Sequence, residues 1–356
     1  MGARSHSRWF RILALGLGIA AGLALIELAL RLAGRPPTDA DILATLSGEF
    51  EPPQPSADCR AAAEQARLRE IVEPTTAPDL VYQLRPGVDT CFEGARVRIN
   101  AQRVRRDTDM ATPKPADTFR ILVLGDSHAF GWAIPAADTV SAQLEAALGA
   151  RTRARVEAVN AGVPGYSAYQ EAAWLDAHGS EFEPDCVLVL FVANDMGLPH
   201  FLLRSRVSGP SRLLDRVRAA TASKRWFHFA PNELATFVSE VEMDRIPQRY
   251  RHMVGEDGYR RALEKIAARA RQGGFDLVNV FDYSTLDVDA AALIDFQESL
   301  GFSALEMPWP GDPSFRVSAT DPHLNQAGNA AIVEFLLSRL TERSVCLPPP
   351  IEVPPS

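Results

Sequence analysis

Short apolar runs alternate with longer amphipathic stretches over most of the chain. The runs have the length of strands and lie at 121–124, 156–159, 187–192, 277–281 and 303–305. The stretches between and after them carry apolar residues at helical spacing and lie at 140–148, 168–177, 259–271, 293–300 and 327–340. A strand that is apolar throughout is typical of a parallel sheet covered on both faces. The alternation therefore predicts an α/β domain over 118–342, with a parallel sheet between two layers of helices.

The amino-terminal segment has a different pattern. Residues 12–33 are apolar apart from Glu27 and Arg31, and three arginines precede them. A helix of that length spans ~33 Å at ~1.5 Å per residue, which is enough for the ~30 Å core of a bilayer. The pattern predicts an uncleaved transmembrane anchor over 1–37, which would leave the rest of the chain on the periplasmic side of the inner membrane because basic residues favour the cytoplasm. A cleaved signal peptide is the alternative, although residues 30–34 fit its cleavage site poorly.

The remaining segments are rich in turns or in proline. Residues 38–117 begin as a proline-containing linker, and residues 78–107 continue it as short alternating stretches around a Pro-Gly turn. This pattern predicts a small β-rich subdomain before the main domain. Residues 196–256 are too long for an ordinary connection and predict an insertion. Residues 343–356 form a proline-rich tail.

Charge and composition narrow the range of partners. The 356 residues include 37 lysines and arginines and 45 aspartates and glutamates, which gives a net charge of −8. Because nucleic-acid-binding domains usually present a basic face and no basic run occurs here, we expect no nucleic-acid partner. The sequence also lacks a zinc-type cysteine pattern and a phosphate-binding loop, so we expect no metal and no cofactor.

The four cysteines allow disulfides if the chain is exported. Cys59 and Cys91 both lie before the main domain, and we predict a bond between them. Cys346, in the proline-rich tail, is a rival partner for either. Cys186 begins an apolar run and is expected to be a buried free thiol.

Residues with catalytic chemistry follow the predicted strands, at the edge where ligands of such sheets bind. They are Ser127 after the first strand, the glycine-containing loop 160–165 after the second, Asn194 after the third, and Asp321 with His323 before the last helix. A nucleophile, a base, an orienting carboxylate and neutral hydrogen-bond donors are what acyl transfer requires. Each element alone has a structural explanation, as a turn or a helix cap. Their shared position at one sheet edge favours the catalytic interpretation.

These blocks resemble the SGNH or GDSL hydrolases, which act on lipids, sugar esters and thioesters. The similarity covers residues 119–340 and implies a flavodoxin-like three-layer sandwich. It rests on Gly-Asp-Ser at 125–127, Asn-Ala-Gly-Val-Pro-Gly at 160–165, Val-Ala-Asn-Asp at 192–195 and Asp-Pro-His at 321–323. It implies Ser127 as nucleophile, His323 as base and Asp321 as the carboxylate that orients the base. Gly165 (or, failing that, Gly162), Asn194 and the amide of Ser127 would form the oxyanion hole.

Three residues depart from the family pattern. His128 stands where leucine is usual after the nucleophile, and Val192 stands where the third block generally has glycine. Asp321 precedes His323 by two residues instead of three, so its carboxylate must approach the ring from another backbone angle. Although His128 adjoins the nucleophile, its side chain is expected to point away from that of Ser127. We therefore expect His323 to be the base.

The sequence thus predicts a serine esterase that cleaves acyl esters of envelope glycans or lipids through an acyl-serine intermediate. An O-acyltransferase that modifies extracytoplasmic polysaccharide could use the same Ser-His-Asp residues and is the first alternative. A non-catalytic binding module that retains the fold is the second. The expected partners are an acyl-ester substrate and, through the amino-terminal helix, the membrane.

Overall fold

The computed structural model describes residues 3–33, 59, 65–198, 248–284, 286–307 and 312–349. The helices are α1 (Ala3–Ala33), α2 (Leu68–Ile71), α3 (Ser127–Phe130), α4 (Val140–Gly149), α5 (Ala168–Phe182), α6 (Gly255–Gly273), α7 (Ala290–Ser299) and α8 (Gln326–Arg343). The strands are β1 (Val72–Pro74), β2 (Tyr82–Leu84), β3 (Asp89–Phe92), β4 (Ala95–Arg98), β5 (Thr118–Gly125), β6 (Arg155–Asn160), β7 (Cys186–Leu190), β8 (Asp276–Phe281) and β9 (Phe302–Glu306). Short 3₁₀ helices lie at Ala136–Asp138, Ala193–Met196, Gln248–Met253 and Pro313–Phe315.

Strands β5 to β9 form one five-stranded parallel sheet in the order β6-β5-β7-β8-β9. The chain leaves β5 for β6 on one side and returns to β7 on the other. This is the flavodoxin-like order, and its switch point lies between β5 and β7, where the carboxyl ends of the strands leave a crevice for a ligand. The predicted α/β architecture and its parallel sheet are confirmed.

Successive side chains of the strands point to opposite faces of the sheet, and a hydrophobic core lies on each face. Ile121 and Val123 of β5 pack on one face with α4 and α8. Leu122 and Leu124 pack on the other face with α5, α6 and α7. Both faces are fully buried, which explains why the central strands lack the polar alternation of a sheet with one wet face.

The β-rich region before the main sheet consists of two antiparallel pairs, β1 with β2 and β3 with β4. A two-residue turn at Glu93 and Gly94 joins β3 to β4, and both residues have positive φ, 47° and 80°, as in the turns that favour tight hairpins. Tyr82 and Phe92 are fully buried in the same core as α5 and α6. This region therefore packs directly on one face of the main sheet.

The structure differs from two of the sequence predictions. In the part of the chain that it describes, no helix is long and apolar enough to cross a membrane, so the transmembrane anchor predicted over 1–37 is not supported. Residues 199–247, which make up most of the predicted insertion, lie outside the described residues, as do most of the linker and the last residues of the tail. The extent of the predicted domains stays a prediction.

The second difference concerns the cysteines. The predicted Cys59–Cys91 bond is confirmed, but the prediction of a free thiol at Cys186 is wrong because Cys186 forms a disulfide with Cys346. After α8 the tail returns to the sheet, where the Cys346 amide donates a hydrogen bond of 2.9 Å to Oδ2 of Asp276 at the start of β8. This return brings Cys346 beside the first residue of β7.

Candidate active site

The turn after β5 places Ser127, a mostly buried residue, at the carboxyl edge of the sheet. Gly125 has a φ of 151°, and a Cβ there would lie 2.6 Å from the Cβ of Ala129, so the turn requires glycine. Asp126 caps α3 by accepting a hydrogen bond of 2.8 Å from the His128 amide. Ser127 is the first residue of this short helix, and its N–H has no acceptor among the described residues.

Ser127, His323 and Asp321 form a continuous hydrogen-bond relay. The Oγ of Ser127 lies 2.8 Å from Nε2 of His323, and Nδ1 of His323 lies 2.7 Å from Oδ1 of Asp321. With the ring hydrogen donated from Nδ1 to the carboxylate, Nε2 is left as an acceptor for the serine hydroxyl. The three side chains expected to act together therefore meet, although Ser127 and His323 lie 196 positions apart.

The unusual spacing between Asp321 and His323 is explained by a local turn. Oδ1 of Asp321 accepts both the backbone N–H of His323, at 3.0 Å, and the ring N–H, at 2.7 Å. A side chain that binds the backbone two residues later forms an Asx turn, and this turn brings the carboxylate alongside the ring. Partial burial alone would raise the pKa of Asp321, but its hydrogen bond to His323 and the charge of that ring outweigh burial and lower it.

The loop that carries His323 is fixed to the last helix. Asn325 caps α8 by accepting a hydrogen bond of 3.1 Å from the Gly328 amide. Its side-chain amide donates back to the carbonyl oxygens of Ser314, at 2.7 Å, and Arg316, at 3.0 Å. Asn325 therefore connects the loop that carries His323 both to the segment before it and to α8.

Asn194 approaches the same site from the end of β7. Its Nδ2 donates a hydrogen bond of 2.9 Å to Oδ2 of Asp126, and the same oxygen lies 3.2 Å from the Ser127 hydroxyl. An amide nitrogen carries two hydrogens, so one N–H of Asn194 remains for another acceptor.

The loop after β6 contains both glycines considered for the oxyanion hole. Gly162 is buried, and its N–H already donates to Oδ1 of Asn160 at 3.1 Å. Gly165 has a φ of 78° and is partly exposed, and its N–H has no acceptor among the described residues. The available amide in this loop is therefore that of Gly165, and Gly162 has a structural role, because a Cβ there would meet the backbone of Phe130 at 2.2 Å.

Comparison with known proteins identifies the family. The model of the GDSL-like lipase/acylhydrolase family matches residues 123–331. The chain belongs to this family. The earlier resemblance is thereby confirmed, and the match includes Ser127, Asn194 and His323. Of the curated proteins, none matches the sequence.

Several solved structures are similar to this acylhydrolase. A psychrotrophic esterase from Pseudoalteromonas sp. is 13% identical and has a TM-score of 0.40, covering 63% of this chain and 98% of its own. A lipase/acylhydrolase from Enterococcus faecalis is 15% identical, with a TM-score of 0.38 and coverages of 63% and 96%. A catalytic mutant of an acetylxylan esterase from Geobacillus stearothermophilus is 13% identical, with a TM-score of 0.38 and coverages of 62% and 93%.

Sequence reasoning missed an aromatic contact of the acylhydrolase site. The indole of Trp132 stacks on the His323 ring, with the ring centroids 5.0 Å apart and the planes inclined by 15°. The ring of Phe92, at the end of β3, is nearly perpendicular to the indole, with the ring centroids 4.9 Å apart. The motif around Ser127 ends before Trp132, and β3 lies in another part of the chain, so no spacing in the sequence connects these residues.

His128 also lies beside the base. Its ring centroid is 4.9 Å from that of His323. Burial lowers the pKa of His128 to about 4, even though the neighbouring carboxylate of Asp126 favours the charged form. His128 is therefore neutral at physiological pH and adds no positive charge next to His323.

Acidic groups surround the site at two depths. Glu93, exposed at the tip of the β3–β4 turn, has a raised pKa because of partial desolvation and the charge of Asp321, while His323 acts in the opposite direction. Beneath the site, burial raises the pKa of Glu171 and Asp195 well above the ordinary range, and the charge of Asp126 acts in the same direction on both. These two buried groups are expected to be neutral acids, which limits the negative charge under Ser127. Within the described ranges, no group of three or more acidic, histidine or cysteine side chains is arranged to hold a metal ion.

Proposed function

We propose that this acylhydrolase is a serine esterase that cleaves carboxylic esters through an acyl-serine intermediate. The observation that carries the proposal is the relay from Ser127 to His323, at 2.8 Å, and from His323 to Asp321, at 2.7 Å. Both distances are within hydrogen-bond range and connect a nucleophile to a base and the base to a carboxylate.

In the first step, Nε2 of His323 takes the proton of the Ser127 hydroxyl while Oγ attacks the acyl carbonyl carbon. Asp321 holds the ring in the required tautomer and stabilises the imidazolium that forms. The imidazolium then gives its proton to the leaving alkoxide, and the acyl group stays on Oγ.

The tetrahedral intermediate places a negative charge on the former carbonyl oxygen. The amides of Ser127 and Gly165 and the remaining N–H of Asn194 are the donors we assign to this oxygen. They are fixed before substrate binds, so no reorganisation is needed when the charge develops. In the second step, His323 activates a water molecule, which releases the acyl group as a carboxylic acid and restores Ser127.

For the substrate, we propose acyl esters of glycans or lipids of the cell envelope. The two disulfides, Cys59–Cys91 and Cys186–Cys346, support a location outside the cytoplasm, because such bonds persist in oxidising compartments. Alkylation of thiols in intact cells, followed by non-reducing electrophoresis, tests this location. Free thiols at all four cysteines would contradict it.

The catalytic proposal is tested with the full chain and short-chain acyl esters. Ser127→Ala and His323→Ala should abolish turnover, and a fluorophosphonate should label the wild type but not Ser127→Ala. Ser141→Ala is the matched control, since this buried hydroxyl bonds to Thr139 at 3.1 Å and is not part of the relay. Equal turnover by the wild type and Ser127→Ala would refute the proposal. The same assay with an added oligosaccharide acceptor measures transfer against hydrolysis.

A further inference from the structure

The stacked pair of Trp132 and His323 brings a neutral aromatic face against the ring that carries the proton during catalysis. The centroids are 5.0 Å apart and the planes are inclined by only 15°. The imidazole would therefore have to push the indole aside in order to rotate away from Ser127. A cation close to the face of a tryptophan is also stabilised by the negative charge density of that face.

Trp132 is held in this position from the β-rich region, which precedes the main sheet. The fully buried ring of Phe92 packs nearly perpendicular to the indole, with the ring centroids 4.9 Å apart. The hydrogen bond from the Gly94 amide to Oε1 of Gln65, at 2.9 Å, fixes the hairpin turn that follows Phe92. The disulfide from Cys91 to Cys59 secures the hairpin on its other side.

The segment around Trp132 has a second support. The guanidinium of Arg105, which is fully buried, donates hydrogen bonds to the carbonyl oxygens of Phe130, at 2.9 Å, and Ile134, at 2.6 Å. It also lies over the Phe130 ring, 4.7 Å from the centroid. Arg105 thus holds the backbone by hydrogen bonds on both sides of Trp132.

We propose that Trp132 is a positioning residue for His323, held by Phe92 and Arg105. Its indole keeps the imidazole directed at Ser127 and stabilises the imidazolium that forms when His323 takes the serine proton. This inference rests on the proposed function, because it concerns the proton transfer of that reaction.

Four other titratable groups lie in or next to the relay, and they stay in place when Trp132 is changed. Asp321 and Glu93 favour the charged ring, whereas His128 opposes it when protonated. Asp126, which interacts with His128, lies on the nucleophile side. A shift in the pH profile of a Trp132 variant therefore reports the loss of the indole.

The experiment compares Trp132→Phe with Trp132→Leu in the full chain. Phenylalanine keeps a smaller aromatic face, and leucine removes it. We expect Trp132→Leu to lower kcat by about 10- to 100-fold with little change in KM for a short ester, and to move the acidic limb of the rate profile down by about 0.5–1 pH unit. Trp132→Phe should retain most of the wild-type kcat and should leave the acidic limb close to its wild-type position.

Two more variants separate positioning from general damage. Phe92→Leu does not touch His323 and should reproduce the effects of Trp132→Leu in weaker form. Trp174→Phe is the matched control, because this tryptophan is buried against Phe182 in α5 and should leave the acidic limb unchanged. The melting temperature of each variant is measured alongside, so that loss of folded protein is not read as loss of rate.

The results distinguish this inference from the proposed function. If fluorophosphonate fails to label Ser127 in the wild type, the proposed function and this inference both fail. If the wild type is labelled and active but Trp132→Leu keeps its kcat and pH profile, only the inference fails. A rise in KM alone would assign Trp132 to substrate contact and would also overturn it.

Discussion

Asn194 and Asp126 are joined by a hydrogen bond of 2.9 Å between the side-chain amide and the carboxylate. Asn194 follows β7 and Asp126 follows β5, so this bond connects the two strand ends on either side of the switch point. It restrains the amide and leaves its second N–H for another acceptor. Asp126 of the Gly-Asp-Ser motif thus positions Asn194, the hydrogen-bond donor on the loop after β7.

Replacement of Asn194 by alanine should lower kcat by about 10²–10³-fold, because it removes one donor to the developing oxyanion. KM for a short ester should change little, since the charge develops only in the transition state. Steady-state kinetics of purified Asn194→Ala measure both values. An unchanged kcat would remove Asn194 from the oxyanion hole.

His128→Gln should retain the acidic limb of the rate profile at the same pH as in the wild type. His128 is held neutral down to about pH 4 by burial, so its replacement by a neutral amide removes no charge from the site over pH 5–8. The measurement is kcat/KM against pH for the wild type and the variant. Loss of the limb in His128→Gln would make His128 the titrating base.

The same variant makes a prediction about stability. His128 has a folded pKa below its unfolded value, so the unfolded chain binds the extra proton and the fold loses stability as the pH falls from ~6.5 towards ~4. His128→Gln should lose less stability over that interval. Urea unfolding at pH 7, 5.5 and 4.5 compares the two proteins, and parallel losses would show that another group controls the acid sensitivity.

Glu93→Gln should move the acidic limb to lower pH by a few tenths of a unit at low salt. The Glu93 carboxylate interacts with His323 and, when ionised, stabilises the imidazolium, so its removal makes that cation less stable. Because Glu93 is exposed, the shift should shrink in high salt. Glu298→Gln, an exposed change on α7, is the control. If Glu298→Gln moves the acidic limb equally far, the shift results from the change in net charge and not from the interaction between Glu93 and His323.

Glu157→Gln should destabilise the fold by about 3–5 kcal/mol, because it leaves a buried arginine without its counter-charge. Oε2 of Glu157 accepts from Arg120 at 2.7 and 2.8 Å, and both side chains are almost completely buried between β5 and β6. Denaturant unfolding measures the loss. Glu342→Gln, which breaks the exposed pair with Arg339, should change the stability little, and equal effects would contradict the assignment.

Cys346→Ser should lower stability by about 2–5 kcal/mol under oxidising conditions, since the bond to Cys186 closes a loop of 160 positions. The kinetic constants should not change, because neither cysteine contacts the site residues. Thermal unfolding with and without reductant measures the effect, and the difference should vanish in reductant. Cys346→Ser that melts like the wild type in both conditions would contradict a stabilising role.

The architecture could be predicted because strands buried on both faces have a simple signature. The runs at 121–124 and 187–192 contain no polar residue, and each ends at a loop with catalytic chemistry. Parallel strands bring such loops to one edge, so the approach of Ser127 to Asn194 and His323 followed from the order of the elements. Asp321 precedes His323 by only two residues, and the Asx turn that it forms brings its carboxylate to the imidazole ring.

The contacts that could not be predicted join segments with no common periodicity. Cys186 lies in an apolar strand and looks like a core residue, and only the return of the chain after α8 supplies its partner. The stack of Trp132 on His323 depends on Phe92 in a separate hairpin. Such contacts are set by how separate elements dock, which the pattern within one element does not encode.

The Cys186–Cys346 bond also imposes an order on biosynthesis. Its first half is made 160 positions before its second, and His323 is likewise translated long after Ser127. A nascent chain that has just completed the third strand of the sheet must therefore keep Cys186 from pairing with Cys59 or Cys91, which are already present. Correct oxidation of this bond is thus a marker that the ribosome has delivered the last helix and that it has docked.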